Sequence, residues 1–537
     1  MPTNISKEKR EKLVEKIKAI KTYIATAPQD ENTAQLLDFI AEIEKDIKGK
    51  KYGLVFEEHR EQIDEILESN LPVLTEDESL FIDNGGQMNF LIEGDNLASL
   101  KLLEKTHKGK IDLIYIDPPY NTGNKDFVYD DAFVDSNDTF RHSKWLSFME
   151  KRLEIAKNLL TEKGVIFISI DDNEQSTLRV LVDHIFGEQN FVGQLIWQKK
   201  KGGSNDSRHL ATEHEYVLMF AKNKQTLESI FIEYGNDYIS RYKEEDEIGR
   251  YFWDTFKRKS GKQYYAITCP DGTILEKEEN GEPISWLRSE TRFLSDLEKG
   301  EARIIKINGK WTVHFKQRQP EGYKPRSLIT EYGTTSDGAN ELKQIFNITN
   351  IFSNPKPVKL LEFLIKFKAN KEITILDFFA GSGTTGHAVM KLNAEDGGNR
   401  KFILCTNNEN NICRDVTYER IKRVIDKEGY AASLKYFKVD FVPISEKLYY
   451  EYADELLKHI KELVELENGI NFNGNEEIAI ILTEKELDEF TKDIPASCKA
   501  IYLGHDVLPS EEQEKLFKKN GIAKNIIPDY YYRDLEA

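Results

Sequence analysis

Cysteine is scarce. The chain has four (Cys269, Cys405, Cys413 and Cys498) among 537 residues, and none has the paired C-x-x-C spacing of a structural zinc site or a disulfide framework. They read as reduced and structural. His142, His209 and His214 lack metal-ligand spacing, so no metal is expected. No run of eighteen or more apolar residues occurs, and the charged start MPTNISKEKREKLVEK has no apolar stretch behind it. The expectation is therefore a cytoplasmic protein without membrane contact. There is no internal repeat, no low-complexity tract and no G-x-x-x-x-G-K-[ST] phosphate loop, which argues against an NTPase or helicase within this chain. CPDGTILEKE (269–278) superficially resembles a nuclease acid cluster, but its carboxylates crowd together and a β-turn accounts for it.

Positive charge is in deficit: 75 Lys and Arg against 93 Asp and Glu give a net charge of -18. Taken as a sum, that opposes a nucleic-acid partner, whose phosphates are held by neutralisation. The distribution is uneven, however. Basic clusters stand at Lys199, Lys200, Lys201, Arg208 and His209, at Lys257, Arg258, Lys259 and Lys262, and at Lys316, Arg318, Lys324 and Arg326. Lys199, Lys200, Lys201, Arg208, Lys257, Arg258, Lys316 and Arg318 are the candidate DNA contacts, although each cluster also reads as a solvated loop. Acid is dense in the first 80 residues and from about 445 to 495, which suits protein contacts there.

A chain this long exceeds what one core usually serves, so a main domain with appended modules is expected. Residues 1–75 carry apolar positions at helical spacing (Leu13, Ile17, Ile20; Leu36, Leu37, Ile40, Ile43) up to a Leu-Pro break at 71–72. From 76 to 197, NFLIEGD, KIDLIYID and GVIFISID are short apolar runs, each ending in an acid, with helical patterns between them. This is the rhythm of a parallel α/β sheet, whose carboxyl edge binds ligands. Residues 198–344 are rich in Gly, Asn, Asp and aromatics and read as an inserted domain. The α/β pattern resumes over 345–445, and 446–537 look like a small separate α/β module.

Two constellations carry chemistry. In LDFFAGSGTTG, Asp377 ends a strand, and Gly381 and Gly383 let the backbone approach a ligand closely. With no Lys after the glycines, a cationic sulfonium cofactor fits the acid better than a phosphate does. In Asp117-Pro118-Pro119-Tyr120, after the strand KIDLIYI, the carboxylate and the Pro118 carbonyl offer two acceptors to an exocyclic amine, and the prolines stiffen the loop. An adenine N6 amine is a poor nucleophile because its lone pair is delocalised, and accepting its hydrogen bonds localises that pair. Tyr120 would stack on a base swung out of the duplex, returning roughly 1–3 kcal/mol of the few that eversion costs. A turn with a packed tyrosine is the plainer reading.

YGLVFEEH (52–59), IEGDN (92–96), IDPPYNTG (116–123), TEHEYVLMFAK (212–222), NPKPVKLL (354–361), LDFFAGSGTT (376–385) and VTYERIKRV (416–424) resemble, in this order, the permuted β-class amino-methyltransferases. Among these the chain is most similar to modification subunits of type III restriction systems. The resemblance covers residues from about 50 to 445. It implies a class I methyltransferase fold, with a seven-stranded, mostly parallel sheet, S-adenosylmethionine as cofactor, and a target-recognition insert between the DPPY half and the glycine-motif half. It implies adenine N6 rather than cytosine N4 as the target, the motif being DPPY and not SPPY. Asp117, Pro118, Pro119 and Tyr120 would form the amine site. Asp377, Phe378, Gly381 and Gly383 would line the cofactor, with Asp95 or Asn96 and Lys356 nearby. The strand KFILCTNNE lacks the terminal acid that usually grips the ribose, leaving Asn407 or Glu409 for that role. Asp95 and Asn96 have a second reading as a helix cap near Leu97, and Lys356 as part of a plain loop. The resemblance also implies a homodimer and a complex with a helicase-nuclease restriction subunit. Cytosine N4 methylation and a non-catalytic DNA-specificity module are the alternatives.

Overall fold

In a computed structural model of the chain, the described residues are 5–26, 33–48, 56–123, 128–129, 132–133, 137–202, 209–259, 261–443, 457–504 and 506–527. Short runs rich in Ile, Leu, Val and Phe can hide both faces only between layers of helix, and here they stack side by side in one sheet. Its strands are β1 (Asn70–Glu76), β2 (Gln87–Glu93), β3 (Ile111–Ile116), β4 (Leu160–Ile170), β5 (Phe191–Gln198), β6 (His214–Ala221), β7 (Leu328–Ile329), β8 (Thr374–Asp377), β9 (Lys401–Thr406) and β10 (Ala432–Pro443). Their spatial order is β1-β10-β2-β9-β8-β3-β4-β6-β5-β7. β6 runs against both neighbours and β1 against β10, while the other pairs are parallel. The seven central strands, β2 to β5, form the expected class I sheet. β10 and β1 extend one edge and β7 the other, so the sheet has ten strands rather than seven.

The permutation is visible in the sheet. β3 and β8 lie more than 250 residues apart in the chain yet are direct neighbours, with Ile375 opposite Leu113 and Leu376 opposite Ile114. The helix Arg141–Leu159 covers one face through Trp145, Leu146, Met149 and Leu153, all in the main core. Asp95 caps the helix Asn96–His107 by accepting from the Leu97 and Ala98 N–H groups at 2.7 and 3.2 Å.

Several boundaries differ from the expectation. The Leu-Pro pair at 71–72 lies within β1 and breaks nothing, because an edge strand tolerates a proline whose missing N–H faces away from its single neighbour. Contact density divides the chain into Met1–Leu227, Leu328–Glu362 and Lys371–Ala537 as one unit, and Glu228–Ser327 with Phe363–Asn370 as the other. The stretch assigned to an insert over 198–344 is therefore too wide: β6 and β7 belong to the main sheet. The second unit holds a four-stranded antiparallel sheet (Ala302–Ile307, Lys310–Arg318, Gly249–Thr255, Glu244–Asp246) around Phe256, Trp286, Phe293 and Phe315.

Residues 446–537 are not a detached module either. Strands Ile478–Ile481, Ala500–Leu503 and Ala523–Ile526 form the expected small parallel sheet with its own core, but the helix Ile460–Asn468 places Ile460, Leu463, Val464 and Leu466 in the main core. A buried ion cluster fixes that contact: Lys435 of β10 donates to Glu465 at 2.6 Å and to Glu76 at 2.9 and 3.0 Å. Lys435→Met would leave two buried carboxylates without this partner. Lys461, 3.6 Å from Glu76, compensates in part, so the expected destabilisation is about 3 kcal/mol. Thermal unfolding should show a clear fall in midpoint for this variant and almost none for Lys485→Met, whose side chain is 86% exposed.

Candidate active site

β3 and β8 both end at the carboxyl edge of the sheet, and each hands the chain to a motif built from its own sequence. Past Ile116 come Asp117, Pro118, Pro119 and Tyr120. The buried indole of Trp145 donates to the Pro119 carbonyl at 2.7 Å, and Asn121, at φ 55° and fully buried, turns the chain away. The Asn121 amide is held by Glu174 at 2.6 Å and by the Arg141 carbonyl at 3.2 Å. Because β6 is antiparallel, its first residues lie at this same edge. Glu215 pairs there with Trp197 of β5, and Lys199 follows the end of β5.

The side chains form one connected cluster. The Lys356 ammonium lies 2.7 Å from each oxygen of Asp117, 2.8 Å from the Tyr120 hydroxyl and 3.3 Å from Glu215 Oε2. The Tyr120 hydroxyl is 2.7 Å from Asp117 Oδ1 and 3.1 Å from Glu215 Oε2; with one proton it donates to one of them at a time. Lys199 donates to Glu215 Oε1 at 3.1 Å. Two carboxylates and two ammonium groups thus balance. The Lys356 and Glu215 side chains are 8% and 9% exposed, while Asp117, at 27%, still reaches solvent. Burial works against the charge of Lys356, but Asp117 and Glu215 outweigh it and hold its pKa above the usual ammonium value. Burial likewise opposes the Glu215 carboxylate, and Lys356 and Lys199 reverse that, leaving its pKa below the ordinary value. Tyr120 keeps its proton, its pKa driven far up by burial and then by Asp117 and Glu215.

After β8 the chain makes its tight turn through Gly381 and Gly383, at φ 47° and 73°. Gly383 serves as N-cap of the helix Thr384–Asp396. A Cβ on Gly381 would come within 3.0 Å of the Phe352 ring, which, with the positive φ, explains the glycine there. Arg420, wholly buried, donates to the Ser382 carbonyl at 3.2 Å and to Thr384 Oγ1 at 2.7 Å. Thr384 Oγ1 in turn donates to the Lys356 carbonyl at 3.2 Å. Lys356 therefore joins the two motifs, with its backbone on the glycine turn and its ammonium on Asp117.

The residues singled out from the sequence fare unequally. Asp117 and Tyr120 meet in the cluster, and Gly381 and Gly383 form the turn beside it. Asp377 is not presented to a ligand: it is 2% exposed, and its oxygens accept from the Phe379 N–H at 3.0 Å and from the Thr385 hydroxyl. Phe378 points into the core, fully buried. Asp95 is a helix cap, and Asn96 is tied to Arg152 at 2.5 Å and to the Phe378 carbonyl at 3.1 Å. Lys356, placed near the cofactor by resemblance, has its charge on Asp117 instead. Asn407 and Glu409 are exposed just past β9. Glu215, Trp145 and Glu174 were missed; of these, only Glu215 had a signal, as the acid within HEYVLMFA.

The basic candidates are mostly neutralised by local acids. Lys199 serves Glu215. Lys316 pairs with Asp246 at 2.7 Å, and Arg318 with Asp246 and Glu301 at 2.9 and 3.3 Å. Lys257 pairs with Glu278, and Arg258 with Asp254 at 3.1 Å. Lys200 and Lys201 are exposed, and Arg208 lies outside the described residues.

Residues 111–418 match the model of a DNA methylase family of N6 and N4 methyltransferases. The chain is 37% identical over 381 residues to the Mod subunit of the type III restriction-modification enzyme StyLTI of Salmonella typhimurium, covering 64% of this chain and 56% of that protein. It is 33% identical over 382 residues to the EcoPI Mod subunit of Escherichia phage P1, covering 61% and 58%. It is 36% identical over 337 residues to the type II methyltransferase M.KpnI of Klebsiella pneumoniae, covering 59% and 79%. The chain thus spans little more than half the length of the two Mod subunits. Among solved structures, a putative DNA modification methylase from Thermus thermophilus, complexed with S-adenosyl-L-methionine, aligns with a TM-score of 0.33 and 13% identity, over 65% of this chain and 99% of that one.

Burial raises the Asp377 pKa from 3.8 to about 7; the Thr385 hydroxyl and the Phe379 N–H pull it down, and Asp117 adds a small upward push. Across that window the folded chain keeps a proton that the unfolded chain has lost. Stability is therefore full below the ordinary value and declines by about 1.4 kcal/mol per pH unit until the folded pKa is passed. Asp377→Asn removes this decline. The midpoint of the variant relative to the unmodified chain should rise by several degrees between about pH 5 and about pH 8, and a pH-independent difference would show that Asp377 does not titrate in this range.

Proposed function

The chain belongs to the DNA methylase family, and on that footing we propose that it methylates N6 of an adenine turned out of duplex DNA, with S-adenosylmethionine as donor, as the modification subunit of a type III restriction-modification system. The observation that carries this reading is the juxtaposition of Asp117, at the end of β3, with the glycine turn after β8, bridged by Lys356.

The turn fits the donor. Gly381 and Gly383 lie where an added Cβ would crowd Phe352 and Thr417, and the N-terminus of the helix Thr384–Asp396 suits the carboxylate of the donor. Gly381, Gly383 and the exposed Asn407 or Glu409 are the residues that would hold it. When bound, it supplies a methyl group activated by a sulfonium. The rest of the chemistry belongs to the chain. Trp145 and Asn121 fix the loop so that Asp117 and the Pro118 carbonyl accept the two N–H bonds of the amine, localising its lone pair towards the methyl carbon. Once methylated, the amine nitrogen is acidic, and Asp117 or solvent would take its proton. Positioning supplies most of the rate. The Tyr120 ring, anchored through its hydroxyl, offers a stacking face to the everted base.

Target recognition is assigned to residues 228–327, where Lys257, Arg258, Lys259, Tyr264 and Trp311 line one broad cavity. Self-association, and a complex with a helicase-nuclease subunit, complete the reading and account for restriction, which this chain has no phosphate loop to drive.

Asp117→Ala should bind S-adenosylmethionine with an affinity within about twofold of the unmodified chain, yet transfer methyl groups to mixed-sequence DNA at least about a hundredfold more slowly. Digestion of the methylated DNA to nucleosides should give N6-methyladenine. Label recovered as N4-methylcytosine, or an alanine variant of near-normal rate, would overturn the assignment.

A further inference from the structure

Both donors that occupy Asp117 have Glu215 as their second acceptor. The Lys356 ammonium is at 2.7 Å from the Asp117 oxygens and 3.3 Å from Glu215 Oε2; the Tyr120 hydroxyl is at 2.7 Å from Asp117 Oδ1 and 3.1 Å from the same Glu215 oxygen. In this arrangement Asp117 is engaged. A neutral aromatic amine is a far weaker donor than an ammonium, so it does not win Asp117 Oδ1, which both donors occupy, unless the ammonium has somewhere equally good to go. Moving it into water is blocked, since the Lys356 side chain is 8% exposed, and moving it to an apolar site would strand a buried charge.

Resting on the methyl-transfer reading above, we propose that Glu215 is a positioning residue for that reaction: it is the seat to which Lys356 and the Tyr120 hydroxyl turn when the target amine docks, freeing Asp117 to accept it. The exchange trades one ion pair for another, so no charge is left unpaired. A shift of well under one side-chain length suffices, because the Lys356 Nζ already lies within ion-pair distance of both carboxylates. Lys199, bound to Oε1 at 3.1 Å, holds the Glu215 carboxylate so that Oε2 faces the two donors. The position of Glu215 follows from the topology: β6 is the antiparallel strand that begins at the carboxyl edge, so its second residue reaches the end of β3, two strands away, across β4.

The role makes a sign prediction that a merely structural residue would not. Glu215→Gln keeps the shape but removes the charge that receives Lys356, so the ammonium stays on Asp117. Lys356→Met is also slowed, having lost the donor that orients Asp117. In the double variant no ammonium clamps Asp117 or needs to be received, and only the neutral Tyr120 hydroxyl remains on it. Single-turnover methyl transfer to DNA, measured on the full chain saturated with S-adenosylmethionine and normalised to bound cofactor, should fall roughly thirtyfold for Glu215→Gln. The double variant should regain most of that loss and match Lys356→Met to within about threefold. Cofactor dissociation constants should differ little across the set, which also reports that each variant is folded. If Glu215→Gln transfers at the normal rate, or if the two losses multiply in the double variant, Glu215 is not the receiving seat, although the methyl-transfer reading stands as long as the unmodified chain is active and Asp117→Ala is not. If the unmodified chain transfers no methyl group to any DNA, both readings fall together.

Discussion

One ammonium joins what the chain keeps apart. Lys356 sits between the glycine turn and the DPPY loop, bound to the first through its carbonyl and to the second through its Nζ. The two motifs are separated by more than 250 residues of sequence. Strand pairing alone brings their ends to the same edge, but it does not fix the side chains. A buried ammonium does, because its charge is tolerated only where carboxylates surround it. Asp117 and Glu215 are two such groups, and the buried Glu215 in turn keeps its charge because Lys356 and Lys199 are there. The cluster is mutually dependent, and the antiparallel β6 makes it possible by starting where the parallel strands finish.

A similar economy organises the turn. Asp377 and Arg420 are buried and ionisable, and both spend their hydrogen bonds on local backbone and hydroxyl groups. They fix the shape of the turn from within. Under the proposed methyl-transfer reading, the groups left to meet a cofactor are mainly backbone, at Gly381 and Gly383, with polar side chains past β9. A loop held this firmly meets its ligand with little ordering left to do, which favours a precise distance between methyl donor and acceptor.

Much of this was legible in the sequence. Apolar runs ending in acids marked the strands and their carboxyl edge, and the DPPY and glycine motifs marked two segments that follow neighbouring strands at that edge. The errors have a common cause. Linear patterns report which residues are near a ligand site but not which direction a side chain takes. Phe378 was assigned to the cofactor, and packing turned it into the core. Asp95 was equally well described as a cap, and the cap is what the Leu97 and Ala98 N–H groups made of it. Glu215 carried a signal as the acid of HEYVLMFA, but where it points depends on β6 running antiparallel, a property of the sheet. The insert was drawn too wide because Gly-rich and aromatic texture spills past the strands β6 and β7, which belong to the main sheet.

The charge balance can now be set against the proposed partner. A chain of net charge -18 must present local positive potential to approach DNA at all, and the basic clusters legible in the sequence do not supply it simply. Lys316, Arg318, Lys257 and Arg258 are each paired with an acid within their own unit. Arg318 and Lys316 hold Asp246 well below the usual carboxylate range, so those pairs remain ionised at neutral pH. Paired cations contribute to phosphate binding only by exchanging partners, which weakens non-specific attraction and leaves affinity to depend on geometry. For the site-specific methyl transfer proposed above, this would be a favourable arrangement: general electrostatic adhesion is kept low, and discrimination falls to the contacts that form when the correct bases are in place.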